Sequence, residues 1–185
     1  MAGMTMSDEY LPSAVREFRR LKQLADRSIA QSSNESFFAR PAAGDNSIAV
    51  MVKHLSGNLR SRWKNFLTAD GEKPDRVRDQ EFVVTDAETR EALLVGWEEG
   101  WAILFREMEL LTPADLSRVI TIRHESMTAL QAIQRQLTHY AYHVGQIVYV
   151  AKHFAGANWQ TLSIPLGKSE EFNRVLAAKA KRATG

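Results

Sequence analysis

Apolar residues recur at steps of three and four along much of the chain, which is the spacing of one face of an α-helix. The first such series contains Leu11, Val15, Phe18, Leu21, Ala25 and Ile29. Pro12 falls in the first turn of this segment, where a helix tolerates proline. The pattern therefore predicts a helix over residues 11–29.

A second series predicts a helix that is capped by Asn46 or Ser47 and ends near residues 70–71. Its apolar positions are Ile48, Met51, Val52, Leu55, Leu59, Trp63 and Phe66. The segment that follows, residues 72–82, is charged and contains Pro74. We therefore expect a long irregular connection there.

Thr85 and Glu88 have the spacing of a capping box, which predicts the start of a third long helix. Its apolar positions are Leu94, Trp97, Trp101, Leu104, Met108 and Leu111. Residues 112–115 then predict a short helical turn, and residues 119–123 a brief extended stretch.

A fourth long helix is expected from about Ser126 to Phe154, with Gly156 as its C-cap. A fifth, shorter helix is expected from Ser169, which precedes two acidic residues. Because each apolar stripe needs a helical partner, four long amphipathic helices predict an all-α fold. We expect one domain over residues 8–182, a four-helix bundle with a short additional C-terminal helix.

Composition narrows the classes of partner. The 185 residues include 24 Lys plus Arg and 22 Asp plus Glu, a formal net charge of +2, with acidic residues interspersed. No basic block stands out, so no nucleic-acid partner is expected. No apolar run is long enough to span a bilayer and no signal-peptide pattern is present, so we expect a cytoplasmic protein with no membrane partner.

Histidine spacing supplies the candidate chemistry. The chain has no cysteine, so a transition metal would need His, Asp or Glu ligands. His139 and His143 lie four residues apart, on one face of the predicted fourth helix, and can chelate one ion. His54 is the candidate third ligand, because it borders the buried stripe of the predicted second helix. Three histidines would leave coordination positions open, as in catalytic sites.

The alternative for the histidine pair is that both rings are partly exposed or packed in the core, and the spacing alone leaves this open. His124 falls in a predicted loop and His153 near a helix C-terminus, so we assign both to the surface or the framework. Tyr140 follows His139, which excludes the His-Glu-x-x-His helix of zinc proteases. The chain also lacks any Glu-x-x-His, which argues against a ferritin-like di-iron site.

Several longer motifs carry a family resemblance. They are GNLRSRW at 57–63, DGEKP at 70–74, RDQEF at 78–82, QLTHYAYHVGQI at 136–147, and the stretch 159–172. With one histidine in the second helix and His-x-x-x-His in the last long helix, the chain resembles the DinB-like (YfiT-like) metal-dependent proteins. It is similar in particular to a bacterial subfamily classed as a domain of unknown function.

This resemblance implies a bundle that is usually dimeric and holds nickel, zinc or a similar divalent ion on three histidines. His54, His139 and His143 match those ligand positions. Some members of the wider superfamily are transferases or isomerases that use a low-molecular-weight thiol. The resemblance therefore implies a divalent metal, a small-molecule substrate, a homodimer and a thiol as a candidate cofactor. It assigns no catalytic residue.

Two polar residues follow His54 on the same face of the predicted second helix. Asn58 lies one turn beyond it and Arg62 two turns beyond it, so a polar strip is expected along the pocket wall. Arg62 is suited to hold a substrate carboxylate. The favoured alternative for Arg62 is a salt bridge to Asp79 or Glu81.

Gln146 lies one turn after His143 and is a candidate to orient a water or a ligand ring at the metal, or to cap a loop. The large aromatic residues Trp63, Trp97 and Trp101 are expected in the bundle core or on a dimer face.

Two functions stay open from the sequence. The leading hypothesis is a metal-dependent enzyme in which the ion activates a thiol or water for transfer or hydrolysis on a small molecule. The alternative is a non-catalytic dimeric bundle that acts as a binding or stress-response module, with a structural or vestigial metal site.

Overall fold

The structure, a computed structural model, describes residues 6–183. These residues contain six α-helices: α1 (Met6–Ile29), α2 (Asn34–Phe38), α3 (Ile48–Trp63), α4 (Arg90–Leu110), α5 (Ala129–Ala155) and α6 (Ser169–Ala183). One hairpin is formed by β1 (Val119–Ile122) and β2 (Glu125–Thr128), and short 3₁₀ helices cover Arg78–Phe82, Pro113–Ser117 and Gly156–Asn158. The prediction of an all-α fold is confirmed.

The four long helices α1, α3, α4 and α5 enclose one hydrophobic core. Helix α3 packs mainly against α4, and α1 packs mainly against α5. Large aromatic side chains fill the centre, where the ring of Phe18 meets that of Trp63 edge-on at 5.5 Å and Trp101 meets Tyr140 at 5.6 Å. Trp63, Trp97 and Trp101, which were expected in the core or on a dimer face, are all buried in this core.

Helix α3 begins as predicted but ends earlier. The hydroxyl of Ser47 accepts a hydrogen bond from the backbone N–H of Val50 and caps the helix. The expected end near residues 70–71 is wrong, because the last helical residue is Trp63. Asn65 has a φ of 56°, and an asparagine in this left-handed conformation is a common helix terminator.

Helix α4 also starts later than the capping-box pattern predicts. The cap is Thr89, whose hydroxyl accepts a hydrogen bond from the backbone N–H of Ala92, and the helix begins at Arg90. Glu88 does accept a hydrogen bond from the backbone N–H of Thr85, at 2.9 Å, but this contact closes a turn before the helix. The predicted start at Thr85 is therefore wrong.

The extended stretch predicted over residues 119–123 is confirmed as β1, but the expected start of the fourth long helix at Ser126 is wrong. Residues 125–128 form the partner strand, and Thr128 caps α5 by accepting a hydrogen bond from the backbone N–H of Gln131. At the other end, Gly156 has a φ of 54° and terminates α5 as predicted.

The sequence pattern did not predict α2, nor the 3₁₀ helix Arg78–Phe82 inside the expected irregular connection. Helix α6 begins at Ser169 as predicted, and the side chains of residues 169–182 are all exposed. Across residues 6–183, no helix has both the length and the apolar character that crossing a membrane requires.

Candidate metal centre

Three histidines converge between α3 and α5. His54 projects from α3, and His139 and His143 project from successive turns of α5. One potential ligand atom from each ring lies within 4.8 Å of the other two. Ring centroids are 4.8 to 5.5 Å apart. The three rings therefore lie close enough together to be candidate ligands of one ion.

The ring of His54 is held in one orientation by Glu81. Its Nδ1–H donates a hydrogen bond of 2.8 Å to Oε2 of Glu81. Because a carboxylate can only accept, the proton sits on Nδ1 and the lone pair on Nε2 is left for a ligand. The ring of Phe82 lies beside that of His54, with centroids 4.7 Å apart.

Glu81 is itself fixed by Arg76. The guanidinium donates from Nε to one carboxylate oxygen at 2.7 Å and from Nη2 to the other at 2.8 Å. Burial acts to raise the pKa of Glu81, but the hydrogen bonds from His54 and Arg76 outweigh it and hold the pKa below its usual value. Glu81 is thus a carboxylate at neutral pH, and it accepts bonds from both partners.

Glu81 reaches His54 only because residue 57 is glycine. A Cβ at Gly57 would lie 2.7 Å from the carboxyl carbon of Glu81 and would overlap one of its oxygens. Gly57 stands inside α3, where glycine is otherwise unfavourable. The close approach of a buried carboxylate accounts for a glycine at this position.

His143 has a matching partner within its own helix. Its Nδ1–H donates a hydrogen bond of 2.8 Å to Oε1 of Gln146. The predicted candidate Gln146 thus contacts a histidine ring, and Nε2 of His143 keeps its lone pair. Outer partners of this kind commonly orient histidines that bind metals.

His139 and His143 are neutral at pH 7. Burial lowers the pKa of His139 to about 3, and the nearness of His143 and His54 acts in the same direction, because protonated rings would repel one another. Burial also lowers the pKa of His143 to about 4, again assisted by His54. Neutral imidazole is the form that ligates a metal.

The donor set fits a divalent transition metal. Imidazole nitrogen suits zinc, nickel and similar ions, and a tetrahedral ion about 2.1 Å from each nitrogen would set the nitrogens about 3.4 Å apart. Ligand atoms as much as 4.8 Å apart would have to move closer together to hold such an ion. Three protein ligands would leave at least one coordination position open.

A cavity of about 420 Å³ adjoins the three histidines. The predicted pocket residues Asn58, Arg62 and Gln146 all line it. Oδ1 of Asn58 accepts a hydrogen bond from the hydroxyl of Tyr140, which in turn accepts one from Nε1 of Trp63. Burial raises the pKa of Tyr140, so its hydroxyl is a neutral donor in this chain of contacts.

The expected salt-bridge partners of Arg62 were wrong. Its guanidinium bonds the carboxylate of Glu72 at 2.6 Å and the backbone carbonyl of Gly71. Glu81 is unavailable because it faces His54 and Arg76, and Asp79 is 94% exposed. The early end of α3 brings residues 71–72 back beside Arg62.

Sequence reasoning missed several residues of the site. Glu81 and Arg76 lie in the connection over residues 72–82, where an irregular segment was expected. The RDQEF motif at 78–82 was the one signal in the sequence that this connection belongs to the site. Arg135 also lines the cavity, and it lies one turn before His139, so helical spacing was a signal that could have found it. The two histidines assigned elsewhere are not part of this three-histidine group: His124 lies in the hairpin turn and His153 is exposed at the end of α5.

Comparison with known proteins identifies the family. Residues 5–168 match the family described as "Protein of unknown function (DUF1572)". The chain belongs to this family. No curated protein and no solved structure matches it. The DUF1572 match covers α1 to α5, with all three histidines and Glu81, whereas α6 lies beyond it.

Proposed function

We propose that this DUF1572 protein is a divalent-metal protein of the DinB-like superfamily. It holds nickel or zinc on His54, His139 and His143, and it uses a low-molecular-weight thiol or water for transfer or hydrolysis on a small molecule. The observation that carries the proposal is the convergence of three imidazoles, two with their Nδ1 protons committed to outer partners, beside an open cavity.

Each part of the site has a role in this proposal. A divalent ion, when bound, lowers the pKa of a thiol or water and so supplies a nucleophile at neutral pH. Glu81 and Gln146 occupy Nδ1 of His54 and His143, which leaves Nε2 of each ring as the nitrogen that would hold the ion. The cavity gives a small molecule access to that ion.

The motifs at 57–63, 70–74, 78–82 and 136–147 support the DinB-like affiliation, and with it the thiol and the homodimer. Tyr142 and Tyr149 are exposed on α5, which gives a second copy an aromatic surface to contact. We place the homodimer in the cytoplasm.

Metal analysis tests the site. We expect elemental analysis of protein purified without a histidine tag to find about one divalent ion per chain, and His143→Ala and His54→Ala to lose it. His153→Ala is the matched control, because this histidine is exposed on the same helix as His143. Metal-free wild type, or metal content that His143→Ala leaves unchanged, would contradict the proposal.

Activity distinguishes an enzyme from the non-catalytic alternative. Thiols are screened with electrophilic small molecules, before and after removal of the metal with a chelator. Turnover that disappears on chelation and returns when metal is added supports the proposed chemistry. A chain that retains its metal and turns over no acceptor would support the binding or stress-response module.

A further inference from the structure

The cavity beside the histidines has one sign of charge on its walls. Five arginines line it, and its lining contains no aspartate or glutamate among the residues that the structure describes. The five are Arg62, Arg76, Arg78, Arg123 and Arg135. A concave surface with one sign of charge concentrates ions of the opposite sign.

The carboxylates behind the wall do not balance these arginines. Glu72 is shared among Arg62 at 2.6 Å, Arg76 at 3.1 Å and Arg123 at 3.2 Å. Glu81 pairs with Arg76 at 2.7 Å and also accepts the bond from the His54 ring. Two carboxylates therefore neutralise only part of the charge of three guanidinium groups. The other two arginines, Arg78 and Arg135, add further positive charge to the cavity wall.

Those two arginines have partners that are easily exchanged. The side chains of Arg78 and Arg135 are 47% and 48% exposed, and their acidic partners are Asp79 at 3.7 Å and Glu125 at 2.9 Å. Both partners are themselves largely exposed, and such surface pairs contribute little free energy. An anion that enters the cavity can replace them at small cost.

An unsatisfied polar group lies in the same wall. Gln136 lines the cavity, its side chain is only 3% exposed, and its Oε1 is buried with no hydrogen-bond partner in the described part of the chain. A buried acceptor without a donor costs free energy. A bound molecule with an N–H or O–H group would supply the donor once the Gln136 side chain turns its amide oxygen towards the cavity.

We propose that the substrate of this site is an anionic small molecule, whose carboxylate or phosphate group is held by Arg78 and Arg135 and whose hydrogen-bond donor is received by Gln136. The planar guanidinium group matches both oxyanions through paired N–H bonds. The inference rests on the proposed function in one respect, because it takes the cavity at the three histidines as the place where the substrate binds.

Calorimetric titration tests the charge requirement. The probes are succinate, its neutral diamide succinamide and inorganic phosphate, added to the full chain after chelator treatment so that no metal can hold the anion. We expect an anion to bind and succinamide not to bind. Succinate alone would identify a carboxylate site, phosphate alone a phosphate site, and both a general oxyanion site. Binding should also weaken as salt is raised.

Variants test the assignment to the two arginines. We expect Arg78→Gln with Arg135→Gln to weaken anion binding about tenfold or more, with an unchanged circular dichroism spectrum. Arg118→Gln is the matched control, because its side chain is 51% exposed, pairs with Asp115 at 3.2 Å and does not line the cavity. The Arg118→Gln variant should bind the anion with the same affinity as wild type.

Three results would overturn the inference: no anion binds, succinamide binds as well as succinate, or the double variant keeps the wild-type affinity. Metal content is measured separately on the untreated preparations. Anion binding by a chain that holds no metal would overturn the proposed metal chemistry alone. A metal-loaded chain whose chelated form binds no anion would overturn only this inference.

Discussion

Glu81 is a buried carboxylate, which is costly unless its charge is paired and its oxygens are hydrogen-bonded. Both conditions hold, because His54 donates one bond and Arg76 donates two. The carboxylate is therefore stable in the interior, and it fixes which nitrogen of His54 carries the proton. It acts on a bound metal only through that ring, as a positioning residue.

This role predicts the effect of Glu81→Gln on metal binding. The amide keeps the shape of the side chain but removes the charge that holds the His54 proton and ring. We expect the affinity for zinc or nickel to fall about 10- to 100-fold, measured by competition with a chelator of known affinity. Glu81→Asp, which retains the carboxylate on a shorter side chain, should recover part of the lost metal affinity.

Glu88→Gln is the control for this prediction. Glu88 also forms an ion pair from the same part of the chain, with Lys53 at 2.7 Å, but it does not contact the histidines. Its variant should bind metal as wild type does. Equal affinities in Glu81→Gln and Glu88→Gln would show that Glu81 only stabilises the fold.

At the scale of elements, the 3₁₀ helix Arg78–Phe82 packs against α3 through the gap that Gly57 leaves. Gly57→Ala would force Glu81 away from α3, because the added Cβ overlaps the carboxylate. We expect the free energy of unfolding to fall by about 1–3 kcal/mol, measured by urea denaturation. Metal affinity should fall with it, since His54 loses its partner.

Gly145→Ala is a matched substitution in α5, because a Cβ there would have no neighbour within 4 Å. Alanine favours a helix interior over glycine, so this variant should gain up to about 1 kcal/mol of stability. If Gly57→Ala were stabilised in the same way, the close packing of Glu81 on α3 would be refuted.

The long helices could be predicted because their apolar periodicity is a local property of the sequence. The hairpin could not, because its turn residues Arg123 and His124 lack the Asn-Gly or Asp-Gly signal of a two-residue turn. Both have positive φ, of 55° and 65°, and their backbone N–H groups donate to the carboxylate of Asp70. A contact from 53 residues away in the sequence thus stabilises a turn that local sequence does not favour.

The same distinction applies to the candidate site. Helical spacing was sufficient to place His139 and His143 on one face, and the amphipathic pattern indicated that His54 turns inward. The partners Glu81 for His54 and Glu72 for Arg62 depend on the path of residues 64–82. No periodicity describes that path, because side-chain contacts to α3 and the hairpin determine it.

For the whole molecule, Glu72 is a junction between separate parts of the chain. Its carboxylate contacts Arg62 at the end of α3, Arg76 in the connection and Arg123 in the hairpin turn. Burial acts to raise the pKa of Glu72, but the hydrogen bonds from Arg62 and Arg123 outweigh it and lower the pKa to about 2. The unperturbed value is 4.5.

This depressed pKa predicts how stability depends on pH. The native state holds the Glu72 proton less tightly than the unfolded chain does, so its contribution is fully present above about pH 4.5 and is lost as pH falls towards 2. Glu72→Gln removes the charge at every pH. The variant should therefore be less stable than wild type at pH 7, and the difference should shrink between pH 4.5 and 2.

Urea denaturation at steps from pH 7 to pH 2 measures that difference. The control is Glu17→Gln, which breaks an exposed pair with Arg20 inside α1 and should leave the curve close to that of wild type. Parallel curves for Glu72→Gln and wild type across this range would mean that the carboxylate does not join the three segments. Convergence at low pH would instead identify this junction as one contributor to acid unfolding. Three of the five arginines that line the cavity, Arg62, Arg76 and Arg123, would then be held in place by a charge that also stabilises the fold.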